Sequence, residues 1–160
     1  MTDRLCVRKA TEKDIPAVLD ILNSATQKLL AKKVMQWEYP WDENVVKSYV
    51  DKNEFYIAFY DDVPCGCFGL KKYPDNRFAP QDTDGEYWYH LAVHPNSDKA
   101  GIGYMLCRWV QEYSRQTGIT IYFDCWAGNT SLRNYYSFNG FEYMGDFPEE
   151  DYFVSAFRYK

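Results

Sequence analysis

Two glycines one residue apart, Gly101 and Gly103, close the stretch HPNSDKAGIG that runs from His94 and lead into a helical pattern. A helix N-terminus offers unpaired main-chain N–H groups and the positive end of the helix dipole. Glycine lets a ligand approach the backbone and tolerates strained dihedrals. The chemistry on offer is anion binding, and phosphate is the common occupant. The loop from Asn96 to Gly103 supplies it from main chain alone. Two familiar phosphate loops are excluded. A dinucleotide fingerprint needs a third glycine, at the position held by Leu106, and a Walker loop needs Gly-Lys-Ser/Thr where Gly103 precedes Tyr104 and Met105.

Metal and thiol chemistry find less support. The cysteines, Cys6, Cys65, Cys67, Cys107 and Cys125, are odd in number and scattered. Cys65-Gly66-Cys67 has no second Cys or His pair at zinc spacing. A free cysteine inside an apolar segment acts as a small hydrophobe, so core packing is expected and no metal site.

The elements that would position the loop follow from periodicity. Leu5 to Lys9 reads as a strand. Thr11 with Asp14 resembles a capping box, and Ile15, Val18, Leu19, Ile21, Leu22, Leu29 and Leu30 give a helical face. Pro40 breaks the Trp37–Trp41 stretch, and Asp42 caps a short helix carrying Val45, Val46, Tyr49 and Val50. Phe55 to Tyr60 and Cys65 to Leu70 form a hairpin around residues 61–64. After a polar loop, Glu86 to Val93 is a strand. Gly101 to about Thr117 is a helix stopped by Gly118, and Ile119 to Cys125 is a strand. Asn129 or Thr130 caps a helix reaching Phe138. Phe141 to Met144 and Tyr152 to Tyr159 close the chain. The order β-α-α-β-β-β-α-β-α-β-β predicts one α/β domain over residues 1–160, built on a mixed twisted sheet.

Composition narrows the class. At 160 residues, 46% hydrophobic and 26% charged, the chain suits a soluble domain with a real core. No apolar run reaches the roughly 18–20 residues of a membrane span, and MTDRLCVRKA carries charge rather than a signal-peptide core. The expected compartment is the cytoplasm. A net charge of −5 argues against a nucleic-acid binder relying on a broad basic surface.

Two segments carry a resemblance. LAVHPNSDKAGIGYML resembles the acyl-CoA loop of the GNAT superfamily of acyl-CoA N-acyltransferases, Gln/Arg-x-x-Gly-x-Gly/Ala after a Val-x-Pro strand end. Asn129 to Phe141 is similar to that family's Asn-x-x-Ala-x-x-Phe-Tyr-x-x-x-Gly-Phe segment. Order and spacing match, and the element order fits along the whole chain. The resemblance implies a GNAT-like fold with about six to seven strands and about four helices. It implies acetyl-CoA as co-substrate. One departure is Asp98, where the family usually has Gln or Arg. A carboxylate beside a pyrophosphate is unfavourable. Lys99 could offset it, or Asp98 could cap the helix and point away.

Roles follow from the resemblance. Main-chain groups around Leu91, Ala92 and Val93 would pair with the pantetheine arm where that strand splays from the next. Lys99, Ala100, Gly101, Ile102, Gly103 and Tyr104 would supply N–H groups to the pyrophosphate. Asn129 would bind the acyl-CoA arm as well as cap its helix, and Arg133 would reach the nucleotide phosphates or lie on a solvated face. Tyr136 takes the position of the general acid that protonates the leaving thiolate, with Tyr135 packing inward. The base is less evident. By alternation Tyr87 and Tyr89 share a face with residues 91 and 93, while Glu86 and His90 take the other unless a bulge intervenes. Glu86 acting through water is the candidate base, His90 reads as a satisfied buried histidine, and His94 as exposed. Trp37, Tyr87 and Tyr89 are candidate acceptor contacts. Rings can hold an amine by cation–π contact, with Asp82, Asp84 or Glu86 adding charge.

The leading expectation is an N-acetyltransferase acting on a primary amine of a small molecule or peptide, by direct attack in a ternary complex. The alternative is a non-catalytic acyl-CoA sensor or regulatory module. A homodimer formed through the last strand stays open.

Overall fold

The computed structural model describes residues 4–34 and 37–160, with main chain alone at residues 98 and 99. The expectations for the side chains of Asp98 and Lys99 lie outside the described residues. The elements are β1 (Leu5–Lys9), α1 (Ile15–Ala31), α2 (Glu43–Asp51), β2 (Phe55–Tyr60), β3 (Val63–Lys72), β4 (Glu86–Val93), α3 (Ile102–Thr117), β5 (Ile121–Trp126), α4 (Thr130–Phe138), β6 (Glu142–Glu149) and β7 (Tyr152–Tyr159). The strands make a 7-stranded mixed sheet in the order β1-β2-β3-β4-β5-β7-β6. This is the expected α/β fold with its expected element order. Among the described residues, no helix is long and apolar enough to cross a membrane. The chain divides into two compact units, Met1–Leu70 with His90–Met105 and Lys71–Tyr89 with Leu106–Lys160.

In the first unit, β1 and β2 pair antiparallel from Leu5↔Tyr60 to Lys9↔Tyr56. The hairpin to β3 is tighter than expected. Asp61 and Asp62 alone form its loop, at φ of 51° and 66°, and Tyr60 pairs with Val63. Two successive left-handed residues match the twist of the flanking strands, and short Asp side chains tolerate that conformation. Helix α1 buries Ile15, Val18, Ile21, Leu22 and Thr26, a single stripe at helical spacing. Asp42 caps α2 by accepting the Asn44 N–H at 2.8 Å.

Asp14 anchors the entry to α1. Its Oδ2 accepts from the Thr11 N–H at 2.8 Å and from Arg8 Nη1 at 2.7 Å, and Oδ1 accepts from Arg8 Nη2 at 3.0 Å. Foremost through the Arg8 bond, its carboxyl is lowered from 3.8 to about 2. A carboxylate depressed in the folded state adds stability above its unfolded pKa. That stability is lost as pH falls through the folded value. Arg8→Ala should therefore lower Tm at neutral pH and flatten the fall of Tm below about pH 4. Thermal melts at stepped pH read both. Parallel acid-limb curves for wild type and variant would remove the pair from the stability of this unit.

In the second unit, strand alternation on β5 sorts two cores. Phe123 stacks on Phe157 at 5.4 Å and meets Trp88 at 5.2 Å, Phe141 at 4.8 Å and Tyr136 at 4.7 Å between ring centroids. Tyr122, on the other face, packs with Phe78, Ala79, Val154 and Ala156, flanked by Tyr73, Tyr87, Met144 and Phe147. Helix α3 stops at Gly118, at φ 74°. Ser114 Oγ donates to Ile119 O at 2.6 Å, so β5 begins at Ile121 rather than Ile119. Strand β6 runs to Glu149, well past Met144. It is the sheet edge, where Pro148 costs no ladder bond.

Candidate active site

In the first unit β4 ends at Val93, and a 3-10 turn over Pro95–Ala100 leads to α3. His94 fixes this turn rather than standing exposed. Its N–H donates to Cys65 O at 2.8 Å, its carbonyl accepts from Ser97 N at 2.8 Å, and its ring Nδ1 accepts from Asn96 N at 3.2 Å. Its Nε2 lies 3.1 Å from Asp20 Oδ2. Gly101 then takes φ 74°, and a Cβ placed there would meet no atom of the described residues within 4 Å. The first helical bond here runs from Met105 N to Gly101 O at 3.1 Å. The N–H groups of Ile102 and Gly103 precede it, and first-turn N–H groups have no intrahelical acceptor. A left-handed glycine facing open space at the start of a helix fits an anion.

His90 takes a left-handed φ of 52° within β4. Its Nε2 lies 3.2 Å from the Tyr49 hydroxyl. Its ring sits 5.2 Å from Trp41 and 6.0 Å from Trp37, and the two indoles lie 5.5 Å apart. Trp41 Nε1 donates to Thr26 Oγ1 at 2.9 Å. Trp37 thus belongs to a ring cluster around a hydrogen-bonded histidine.

In the second unit, Asn129 Oδ1 caps α4 by accepting Leu132 N at 3.1 Å. Among the described residues no hydrogen bond engages its Nδ2. Tyr136 is 7% exposed. Burial first, then the nearby Cys107 and Cys125, push its phenol well above the ordinary value, so it stays protonated and can donate. Tyr135 is 38% exposed and does not pack inward as expected. Adjacent helix positions point about 100° apart, so only one of the two can face the core. Arg133 is half-buried rather than on a solvated face. Its guanidinium lies 5.2 Å from the Tyr143 ring centroid, and its Nε is buried with no partner among the described residues.

The β4 residues Glu86 and Tyr87 pair with Ile121 and Tyr122 of β5 in parallel register, and their side chains diverge. Glu86 Oε1 accepts from the Tyr113 hydroxyl of α3 at 2.8 Å. Tyr87 and Tyr89 stack at 5.9 Å, on one face as alternation predicts. The Lys71 ammonium lies 5.0 Å from the Tyr89 ring centroid and 5.9 Å from that of Tyr87. Asp82 is occupied by the Tyr122 hydroxyl at 2.6 Å.

Asp124 on β5 escaped the sequence reading. It accepts from the Tyr87 hydroxyl at 2.8 Å, and burial raises its carboxyl above the usual value. Tyr87 and Asp124 line a cavity of about 390 Å³ with Lys71, Lys72, Arg77 and Glu149. The available signal was a lone carboxylate in the apolar strand IYFDCW. The thiols of Cys65, Cys107 and Cys125 are pushed by burial to about 11, 12 and 12. None is a ready nucleophile. Among the described residues, no group of three or more His, Cys, Asp and Glu could hold a metal ion.

A family model described as the acetyltransferase (GNAT) family matches residues 15–141. No match is found among curated proteins. Solved structures match along nearly the full length. A GNAT-family acetyltransferase of Listeria monocytogenes is 15% identical, covering 96% of this chain and 93% of its own, with a TM-score of 0.78. A Salmonella typhimurium protein described with its cofactor acetyl-CoA is 14% identical, with coverages of 98% and 94% and a TM-score of 0.70. The ribosomal-protein-S18-alanine N-acetyltransferase of Escherichia coli is 16% identical, with coverages of 96% and 90% and a TM-score of 0.67.

Proposed function

The chain belongs to the acetyltransferase (GNAT) family, and we propose that it is an acetyl-CoA-dependent N-acetyltransferase that acylates a primary amine by direct attack in a ternary complex. The observation that carries this reading is the turn at Gly101, left-handed and facing open space among the described residues, at the start of α3. Such a turn suits a pyrophosphate held by main chain alone. The structural neighbour described with acetyl-CoA supports that occupant.

Within this reading, the N–H groups of Lys99 through Tyr104 hold the pyrophosphate. Main-chain groups of Leu91 and Val93, with Ala92 between them, pair with the pantetheine arm, and Asn129 Nδ2 adds a donor. Arg133 approaches the nucleotide phosphates, and Trp37, Tyr87 and Tyr89 line the way for the acceptor. The Val93 N–H polarises the thioester carbonyl. Tyr136 donates the proton that the departing sulfur needs, and its raised pKa keeps that proton in place until transfer. Glu86, the base expected from the sequence, has Oε1 committed to the Tyr113 hydroxyl. Residues 1–160 act as one acetyltransferase domain in the cytoplasm.

Release of free thiol from acetyl-CoA across a panel of primary amines tests the reading. Saturable, amine-dependent release is expected. Acetyl-CoA binding without release for any amine would favour the sensor alternative.

A further inference from the structure

The geometry points to the cavity between Asp124, Tyr87, Lys71, Lys72, Arg77 and Glu149 as the acceptor pocket, with Asp124 receiving the ammonium of a zwitterionic, amino-acid-like amine. This deepens the acetyltransferase reading and rests on it.

Three observations converge. The first is the division of labour across the sheet. Alternation on β5 puts Phe123 on the face packed by Tyr136 of α4, and Tyr122 and Asp124 on the other. The proton donor for sulfur and a carboxylate able to take a proton from nitrogen thus serve opposite faces. An amine attacking from one face while sulfur leaves toward the other needs that separation. Glu86 sits on the α3 side, tied to Tyr113.

The second is the state of Asp124. It is half-buried, with one phenolic hydrogen bond and no ion pair among the described residues. A buried carboxylate without a cation is costly, and an incoming ammonium relieves that cost. Its raised pKa also brings it nearer to the amine's, which favours proton transfer.

The third is charge balance. Glu149 is held by Arg77, which also donates to Pro148 O at 2.7 Å. The Lys71 ammonium rests against the Tyr rings. No ion pair among the described residues engages Lys72. With Asp75 also in the lining, three acidic and three basic side chains face the cavity, and this balance of an anion for the ammonium and lysine cations for a carboxylate suits a zwitterion better than a diamine. Its volume of about 390 Å³ is at the small end for ligand sites, which run from about 300 Å³.

The step balances. Asp124 takes one proton from the ammonium, and the nitrogen lone pair forms the C–N bond. The C–S bond breaks with its electron pair going to sulfur, which takes the Tyr136 proton. The second nitrogen proton leaves to water as the amide forms. Tyr136 is reprotonated from water and Asp124 returns its proton there, so one proton is released per turnover.

The test is calorimetric titration of wild type, Asp124→Asn and Glu86→Gln with α-amino acids, their carboxamides and linear diamines. Acetyl-CoA titrations and thiol-release kinetics run in parallel. At least one amino acid should bind wild type. Its carboxamide and the diamines should bind about tenfold or more weakly. Asp124→Asn should lose amine binding and about 100-fold or more in kcat/KM, with acetyl-CoA affinity unchanged. Glu86→Gln should leave amine binding intact. Preference for diamines, absence of amine binding to wild type, or full retention of binding and turnover by Asp124→Asn would overturn the assignment. Loss of acetyl-CoA binding by wild type would instead strike the acetyltransferase reading, so the two failures are distinguishable.

Discussion

Tyr136→Phe is expected to lower turnover by about 10²–10⁴-fold while acetyl-CoA affinity stays nearly intact. The substitution removes one hydroxyl and keeps the ring. That ring makes edge contacts with Phe123 and Phe141 and a tilted contact with Phe157, so the fold should be little disturbed. Acyl transfer from a thioester expels a thiolate, and a phenol held protonated by burial supplies its proton. Because the phenol's pKa is raised, its neutral form persists to higher pH than a free tyrosine. An alkaline loss of activity below about pH 10 would then belong to another group. Single-turnover rates and calorimetric affinities separate the two effects. An unchanged chemical step, measured where chemistry limits the rate, would take Tyr136 out of the acid role.

Phe123→Ala carries the largest expected cost to stability, about 3–5 kcal/mol. The ring is 3% exposed and touches four aromatic neighbours contributed by four different elements or loops. Truncation leaves a void that Trp88, Tyr136, Phe141 and Phe157 cannot jointly close, because rigid rings collapse poorly. For a chain of this size each kcal/mol shifts Tm by about 2–4 °C, so a fall of about 6–20 °C is expected. Phe123→Leu, which keeps more volume, should lose less. Since Tyr136 leans on Phe123, the Ala variant should also lose activity at temperatures where it remains folded. Thermal melts of both variants check this. A Tm for Phe123→Ala within 2 °C or so of wild type would mean that the second unit's core does not depend on this ring.

Local rules made much of this readable in the sequence. The caps at Asp42 and Asn129 are side-chain oxygens accepting nearby N–H groups, within two or three residues of each other. Strand β4 kept its alternation from Tyr87 to Tyr89 because both rings stack on one face. The features that escaped depend on partners distant in the chain. The length of β6 is set by its ladder with β7, which runs to Glu149↔Tyr152, against the local signals of Gly145 and Pro148. The left-handed φ of His90 has no local breaker in the sequence to announce it. Asp124 gains its meaning from Tyr87 on another strand. A single-sequence pattern registers a carboxylate in an apolar strand but not what faces it. The glycine turn was legible because the turn itself requires the residue type.

On the proposed function, the turn at Gly101 holds the pyrophosphate of acetyl-CoA. Calorimetric titration of the folded, CoA-free protein with acetyl-CoA, with ATP and NAD as controls, addresses it directly. Saturable binding of acetyl-CoA, well above either control, is expected. Equal or stronger binding of ATP or NAD, or no binding of acetyl-CoA, would contradict it.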